Sequence, residues 1–254
     1  MKYGISNIAI IPMRSDPSDK SEMVNQILFG EHFEIINEEE KFSRICLSHD
    51  NYKGWICNKQ LTYIDKEEYK KLEKESPTLT TDILDVITKD YHQPIVIGSI
   101  LPSFKSGHAI INQEMYQFDG LTTPGFVNKK KLVENALLYL HAPYLWGGRS
   151  PLGIDCSGLT QMVYRLQGKN IPRDAYQQAE IGKTLEFLDE SEPGDLAFFE
   201  NNKGRITHVG IIIENNYIIH ASGKVRIDSI DQQGIFNHEK KNHTHKLRLI
   251  KSIL

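Results

Sequence analysis

Short apolar runs separated by polar turns dominate the first 65 residues of the chain. Stretches such as RSDPSDKSE and SHDNYKG separate these runs, which fall at Ile8–Ile11, His32–Ile36, Phe42–Leu47 and Gly54–Ile56. Apolar runs of strand length with frequent turn residues are typical of a small β-barrel or sandwich. The pattern therefore predicts an all-β domain over residues 1–65.

A charged segment, DKEEYKKLEKESP, follows over residues 65–77 and is interpreted either as an exposed helix or as a linker. It leads into further apolar runs, DILDVIT, PIVIGSILPSF and HAIINQEMYQF. Pro94 and Pro102 argue against central strands at their positions, because proline cannot donate a hydrogen bond to a ladder. Residues 66–127 are therefore predicted to form a linker and a second, divergent β domain.

From Lys129 onward the apolar spacing becomes helical. The first stripe consists of Leu132, Ala136, Leu137 and Leu140, and Pro143 is expected to end this helix. Gly168 stands where a C-cap belongs, after a second stripe formed by Leu159, Met162, Val163 and Leu166. Strand-length pieces follow: DLAFFE, HVGIIIE, YIIHAS, VRIDSI and KLRLIK. Residues 128–254 are therefore predicted to be an α+β domain, with helices packed on an antiparallel sheet.

Composition narrows the class of protein. The chain is 39% hydrophobic and 25% charged, with a formal net charge of −3, which is typical of a soluble globular protein. It shows no clustered basic excess of the kind that nucleic-acid binding requires. No run approaches the roughly 18 apolar residues that cross a bilayer, and MKYGISNIAIIPMRSD lacks the apolar core of a secretory signal. We therefore expect no nucleic-acid partner, no transmembrane segment, and a cytoplasmic location, or an exported one if a signal segment has been removed.

The three cysteines differ in their surroundings. Cys46 and Cys57 lie in strand-like segments, RICL and GWIC, and are expected to be small buried hydrophobes. Cys156 instead follows a loop rich in glycine and proline and stands at the first turn of a predicted helix. That position stabilises a thiolate, which is the nucleophilic form of cysteine. The alternative is a buried helix cysteine that packs like alanine.

Two histidines complete a candidate nucleophile–base system. His208 in THVGIII is a candidate general base for Cys156, since imidazole titrates near neutral pH. His220 in YIIHAS lies on the next predicted strand, beyond a turn at residues 214–216, so it is predicted to lie beside His208 and to orient its ring. Zinc binding by the two histidines is disfavoured because no third ligand stands at a typical spacing. No metal and no cofactor is therefore expected.

The neighbours of the cysteine are candidates for a substrate-binding cleft. Asp155 would attract a cationic group such as a free amine, or would cap the helix. Tyr144 and Trp146 would line the cleft, unless they are ordinary core aromatic residues. The small residue Ser157 would let a substrate carbonyl approach closely. Arg173 would shape the pocket or form a local salt bridge.

Five of these segments together carry a family resemblance. In the order YLWGGRSPLGIDCSGLTQMVY, IPRDAYQQ, EPGDLAFF, ITHVGIII and YIIHASGKVRI, they resemble the NlpC/P60 family of papain-like cell-wall peptidases over residues 130–254. The resemblance implies a catalytic triad of Cys156, His208 and His220. It also implies that Tyr144 helps to position the substrate or the oxyanion. Many relatives have a serine where this chain has Ala175, so a contact from that hydroxyl is absent here.

The N-terminal half resembles bacterial SH3 domains through SEMVNQILFGEHFEII and DNYKGWI. The combination resembles enzymes that cleave the γ-D-glutamyl-L-diamino acid bond of murein stem peptides with a free N-terminal L-Ala. In that subgroup the first SH3 domain closes one end of the groove, which implies that Glu22 and Tyr52 contact this end of the substrate beside Asp155 and Ser157. We therefore predict one or two SH3-like barrels followed by a monomeric cysteine endopeptidase for murein peptides.

Two other functions remain open. A catalytically silent wall-binding module would use the SH3-like regions alone, but the intact Cys156, His208 and His220 argue against it. A papain-like amidase or acyltransferase would use the same thiolate on another substrate. Acetylation of the substrate amine separates this last reading from the peptidase, because only the peptidase is expected to require a free amine.

Overall fold

The structure, a computed structural model, describes residues 1–254 and divides into two compact units. Unit 1 comprises residues 1–126 and 146–150, and unit 2 comprises residues 127–145 and 151–254. The loop 146–150, which lies in the sequence just before Cys156, therefore packs with the N-terminal residues. No helix in either unit is both long and apolar enough to cross a bilayer.

Unit 1 contains a seven-stranded antiparallel sheet in the spatial order β3-β2-β6-β5-β4-β1-β7. Its strands are β1 (Lys2–Ile5), β2 (Ile10–Arg14), β3 (Met23–Leu28), β4 (His32–Glu38), β5 (Phe42–Leu47), β6 (Lys53–Cys57) and β7 (Thr62–Ile64). The predicted all-β character of this region is confirmed. Strand β3 was missed by the apolar pattern because it buries two polar side chains, Asn25 and Gln26.

The two cysteines of this sheet are half-buried, so the prediction that they are buried is wrong. Side chains alternate between the two faces of a strand. On β5 the inward face carries Ile45 and Leu47, and on β6 it carries Ile56. Cys46 and Cys57 stand between these residues in the alternation and therefore face away from the core.

The charged segment forms helix α1 (Lys66–Lys74), which confirms the helix interpretation and excludes the linker. Asp65 caps it by accepting a hydrogen bond from the Glu68 N–H at 2.7 Å. The buried face of the helix carries Tyr69, whose ring stacks on Tyr3 of β1 at a centroid distance of 4.2 Å. The amphipathic spacing, not the high charge, decides the fate of this segment.

The second β region forms two further sheets in unit 1. Their strands are β8 (Thr78–Thr80), β9 (Leu84–Thr88), β10 (His92–Val96), β11 (Ile100–Leu101), β12 (His108–Ile111), β13 (Glu114–Gln117) and β14 (Thr122–Thr123), and unit 1 also includes β15 (Arg149–Ser150). Pro94 lies in β10, which is an edge strand, and Pro102 lies outside the strands. Both positions agree with the rule that excludes proline from central strands. Ile87 and Ile95 share one core with Tyr3 and Phe29 of the first region.

Unit 2 contains three helices and a strongly curved antiparallel sheet. Its elements are α2 (Lys129–Leu137), β16 (Gly153–Ile154), α3 (Cys156–Arg165), α4 (Ala175–Gln178), β17 (Lys183–Leu185), β18 (Leu196–Glu200), β19 (Ile206–Ile213), β20 (Tyr217–Ser222), β21 (Lys224–Asp231), β22 (Gly234–Asn237) and β23 (Asn242–Ser252). The last strand pairs with β22 through its first residues and with β18 through its later ones. Six strands, β18 to β23, therefore close into a ring, a closure that the sequence analysis did not predict.

The helix predictions hold with one correction. Helix α2 ends at Leu137, well before Pro143, and two 3₁₀-type hydrogen bonds follow, from Tyr139 to Ala136 at 3.1 Å and from Leu140 to Leu137 at 3.0 Å. The tighter turns leave the helix before proline can end it. Helix α3 buries its predicted stripe, and Gly168 follows it with a φ of +74°. That left-handed conformation suits glycine after a helix.

Candidate active site

Helix α3 begins at Cys156 because Asp155 holds the chain extended immediately before it. The Asp155 carboxylate accepts a hydrogen bond from the Gly158 N–H at 2.7 Å, so the predicted capping role is confirmed. The cap places Cys156 in the first turn, where the backbone N–H groups of Val209 and Ser157 act to lower the pKa of its thiol. Val209 follows His208 in β19, so the thiol of α3 meets this strand beside the candidate base.

A buried guanidinium binds the same capping residue. Arg173 donates to both oxygens of Asp155, at 2.9 and 2.6 Å, and to the Ser157 hydroxyl at 2.9 Å. The local salt bridge predicted for Arg173 is therefore present. Since the positive charge of the guanidinium compensates Asp155, the proposed attraction of a substrate amine by this carboxylate stays a prediction, as does the predicted role of Ser157.

The two histidines lie on adjacent strands of the closed sheet. Gly210 of β19 pairs with His220 of β20, so His208, two residues earlier, presents its side chain on the same face. His208 Nε2 and His220 Nδ1 are 2.8 Å apart, and both rings are buried. A side chain at Gly210 would place its Cβ 2.9 Å from the His220 Cβ, so glycine is required there. The predicted juxtaposition is observed.

Asp228 extends this pair and was not predicted. It lies on β21, is buried, and accepts a hydrogen bond from His220, with His220 Nε2 and Asp228 Oδ2 3.0 Å apart. Arg226 donates to both carboxylate oxygens, at 2.6 and 2.9 Å. Burial opposes ionisation, but the hydrogen bonds from His220 and Arg226 lower the pKa of Asp228 to about 2. The one signal in the sequence was an acidic residue inside the apolar strand VRIDSI, a position that requires a buried partner.

His245 of β23 is a third histidine in this cluster, and it was not predicted from the sequence. Its ring stacks on His208 with centroids 4.2 Å apart and planes inclined by 25°, and one nitrogen from each of His208, His220 and His245 falls within 4.8 Å of the others. A metal ion lies roughly in the plane of each imidazole, about 2 Å from the nitrogen. Two nearly parallel rings cannot both meet that condition, so the cluster as it stands is a ring stack, not a preformed metal site.

Burial sets the protonation of the nucleophile and the base. It raises the pKa of Cys156 to about 12, assisted by the charge of Asp155 and opposed by Val209, Arg173 and Ser157. Burial and the neighbouring rings of His220 and His245 lower the pKa of His208 well below its usual value. Both shifts therefore oppose the thiolate that the helix start was expected to stabilise.

Tyr144 belongs to the same site in unit 2. Its backbone N–H donates to the carbonyl of Gly223 at 3.0 Å, which fixes it after α2. Burial and the charges of Cys156 and Asp155 raise the pKa of the Tyr144 phenol to about 12. The hydroxyl is therefore a proton-bearing donor at neutral pH. Its role toward a substrate stays a prediction.

The remaining predicted contacts lie in unit 1. Trp146 is 58% exposed, which rules out an ordinary core aromatic, and its indole N–H donates to the Glu22 carboxylate at 2.6 Å. The structure thus brings Trp146 and Glu22 together. Tyr52 is half-buried and packs against the core of the seven-stranded sheet. Substrate contacts by these three residues stay predictions.

Residues 141–244 match the profile of the NlpC/P60 family, and residues 13–61 match that of the bacterial dipeptidyl-peptidase SH3 domain. The chain therefore carries an NlpC/P60 peptidase domain and a bacterial SH3 domain, as the resemblance predicted. The first range contains Cys156, His208, His220 and Asp228, and it ends one residue before His245. Neither profile covers residues 62–140, so the predicted domain boundaries at residues 65 and 127 stay predictions.

Named relatives are similar to most of the chain or to its catalytic part. Dipeptidyl-peptidase 6 of Lysinibacillus sphaericus is 27% identical over 86% of this chain and 88% of its own length. The γ-D-glutamyl-L-lysine dipeptidyl-peptidase of Bacillus subtilis is 41% identical over 35% of this chain and 31% of its own. The crystal structure of an NlpC/P60 family protein from Bacillus cereus shares the fold, with a TM-score of 0.84 at 18% identity over 99% of both chains. The candidate site thus lies in the part of the chain that matches the NlpC/P60 family.

Proposed function

We propose that this protein is a cysteine endopeptidase that hydrolyses the γ-D-glutamyl-L-diamino acid bond of murein stem peptides with a free N-terminal L-Ala. The carrying observation is a buried hydrogen-bonded series, His208, His220 and Asp228, beside a cysteine at a helix start. The activities for which the similar proteins are named support the substrate class. Peptides released from the wall would be met in the cytoplasm, or outside the cell if the protein is exported.

The first chemical step transfers the thiol proton of Cys156 to His208. The sulfur then attacks the carbonyl carbon of the γ-glutamyl amide, the carbonyl π electrons move to oxygen, and a tetrahedral oxyanion forms. Backbone N–H groups at the start of α3 and the Tyr144 hydroxyl are suited to donate to that oxygen. When the oxyanion collapses, the C–N bond breaks, and His208 returns its proton to the departing amine.

The second step releases the acyl product. His208 removes a proton from water, the water oxygen attacks the thioester, and collapse of the second tetrahedral species breaks the C–S bond. Cys156 recovers its proton from His208, and L-Ala-γ-D-Glu leaves as the carboxylic acid. In the free protein the raised pKa of Cys156 and the lowered pKa of His208 oppose the proton transfer, so the charged pair is expected only during the reaction.

At the amine end of the substrate, the proposed contacts are those that the family resemblance implies. Glu22 offers an exposed carboxylate for an ammonium group, whereas Asp155 is already paired with Arg173. The indole of Trp146 holds Glu22 by a hydrogen bond. We include Tyr52 in this set. The Glu22 carboxylate would attract a free, protonated amine, whereas an acylated amine has no charge and would lose that attraction.

Mass spectrometry of a short stem peptide tests the proposal. L-Ala-γ-D-Glu-L-Lys, its diaminopimelate analogue and the N-acetylated peptides are incubated with the protein, with Cys156→Ala as the control. Release of L-Ala-γ-D-Glu from the free peptides alone is expected. Cleavage of acetylated peptides as well would keep the peptidase and remove the amine requirement. No cleavage by a protein whose Cys156 still reacts with iodoacetamide would point to another acyl substrate.

A further inference from the structure

A neutral imidazole has one proton and two nitrogens, so its function depends on which nitrogen holds the proton. His208 can accept the thiol proton of Cys156 only through Nδ1, because its Nε2 faces His220. The predicted base is therefore competent only when its own proton is on Nε2. Some feature of the structure must favour that tautomer over the other.

The hydrogen-bonding capacity of the groups determines the proton positions by elimination. Asp228 is ionised and bound by two donors of Arg226, so it can only accept. The proton in the His220–Asp228 hydrogen bond must then lie on His220 Nε2. A His220 that carries this single proton can only accept at Nδ1, so His208 Nε2 is then the donor of their hydrogen bond. The lone pair of His208 Nδ1 is thereby left for the thiol.

We propose that Asp228 is a positioning residue that fixes the tautomers of His220 and His208, with Arg226 holding its carboxylate in place. This inference rests on the proposed function, because it assumes that His208 is the base. Asp228 would act through two imidazoles and would not touch the substrate. The catalytic system is then a series of four side chains behind the nucleophile, not a triad.

The surroundings of the series contain few competing charges. Arg226, the direct partner of Asp228, also donates to Glu239 at 3.2 Å. From β23, His245 stacks on His208 and lies within the electrostatic influence of Asp228 and Lys240. Burial and the neighbouring His220 lower the pKa of His245 to about 4, so it is neutral where the enzyme would act. Asp155, on the side of the thiol, is compensated by Arg173.

Two measurements on the full chain test the proposal, with Asp228→Ala and Asp228→Asn as the variants. Nitrogen-15 spectra of histidine-labelled protein report directly which ring nitrogens carry protons. The rate of Cys156 alkylation by iodoacetamide, measured from pH 6 to 10, reports the competence of the base without any peptide substrate. Asp231→Asn is the matched control, because Asp231 lies on the same strand and binds a different histidine, His243, at 2.8 Å.

We expect protons on Nε2 of both His208 and His220 in the native protein and in the Asp231→Asn control. In Asp228→Ala the His220 proton is expected to distribute between both nitrogens. Alkylation near pH 7 should fall about 10- to 100-fold, the usual cost of removing such a supporting carboxylate. The difference should shrink as the pH rises toward 10, because hydroxide increasingly competes with His208 for the thiol proton. Asp228→Asn keeps one acceptor oxygen, so its alkylation rate should lie between those of the native protein and Asp228→Ala.

Unchanged tautomers and an unchanged alkylation profile in both folded variants would overturn the proposal. A thermal midpoint that falls without any tautomer change would assign Asp228 a structural role only, with the same consequence. These outcomes are separable from failure of the proposed function. A protein that cleaves no stem peptide but shows the predicted tautomers and alkylation would keep the positioning role on a different acyl substrate.

Discussion

The two units bury polar side chains in different ways. In unit 1, Arg149 and Glu31 are fully buried and form a two-pronged ion pair, with both N–O distances 2.9 Å. In unit 2 the corresponding buried series is His208, His220 and Asp228. Arginine keeps its charge at any physiological pH, so the first arrangement cannot pass a proton. Imidazole can pass a proton. The ion pair of unit 1 is therefore suited to a structural role only, whereas the histidine series of unit 2 is suited to catalysis.

Arg149 of this ion pair also fixes the conformation of the loop that precedes the nucleophile. The Arg149 backbone N–H donates to the Gln26 side chain and its guanidinium donates to the Gln26 carbonyl, each at 2.8 Å. Gly147 has a φ of +76°, and a Cβ there would lie 2.4 Å from the Met23 carbonyl oxygen. The loop 146–150 therefore lies flat against β3, in a conformation that only glycine permits at close approach.

The largest effect expected on the catalytic side is that of Cys156→Ala. Loss of the nucleophile should reduce hydrolysis of the stem peptide by at least about 10³-fold, since removal of a catalytic nucleophile costs that much or more. The unfolding midpoint should hardly move, because alanine fills nearly the same space. Activity that survives in the purified variant would remove Cys156 from the mechanism.

The next largest losses of activity are expected for alanine variants of His208 and His220, which distinguish the general base from the residue that orients it. His208→Ala should approach the loss seen for the nucleophile. His220→Ala should cost less, on the order of 10- to 100-fold in kcat, because it removes only orientation. Steady-state kinetics of both variants, beside native protein, provide the test. An equal or greater loss for His220 would mean that the roles are misassigned.

Glu31→Gln tests how much the buried Arg149–Glu31 ion pair stabilises unit 1. It leaves the Arg149 charge buried without its carboxylate, which typically costs about 3–5 kcal/mol of unfolding free energy. Urea denaturation measures the loss, and the double variant Glu31→Gln with Arg149→Met should recover part of it. A single variant as stable as the native protein would show that the ion pair contributes little to unit 1.

The stability contributed by Asp228 is expected to depend on pH. The pKa of Asp228, about 2 in the folded protein, lies below its usual value of about 3.9, so its contribution to stability is present above pH 4 and is lost as the pH falls from about 4 to about 2. The difference in thermal midpoint between native protein and Asp228→Asn should therefore shrink over that interval. A difference that is constant down to pH 2 would contradict the lowered pKa.

The smallest effect is expected at an exposed ion pair of unit 1. Lys2 and Glu38 approach to 2.5 Å at the protein surface. Solvent and salt screen such pairs, so Lys2→Met should leave the urea midpoint unchanged within error. A clear loss that disappears in 1 M salt would show that surface pairing matters more here than its exposure indicates.

Local pattern accounts for much of the fold. The helical spacing that follows Cys156, the alternation along the second half of β5 and the continuous apolar run of β19 are local patterns that reflect burial. Strand β3 escaped because its buried Asn25 and Gln26 break the apolar run. Gln26 is satisfied by Arg149, more than a hundred residues away, and no local pattern records such a partner.

The sequence by itself determined the nucleophile candidate, its cap at Asp155 and the pairing of His208 with His220, because a helix start and one hairpin are local features. Tertiary structure alone decided that His245 joins them, since β23 returns to these strands only when the sheet closes. Asp228 lies on the very next hairpin, β20–β21, but the apolar pattern did not reveal its register with His220. Tertiary structure also decided the direction in which the pKa of Cys156 is shifted. Burial, a property of the whole unit, outweighs the local influence of the helix start on the pKa of that thiol.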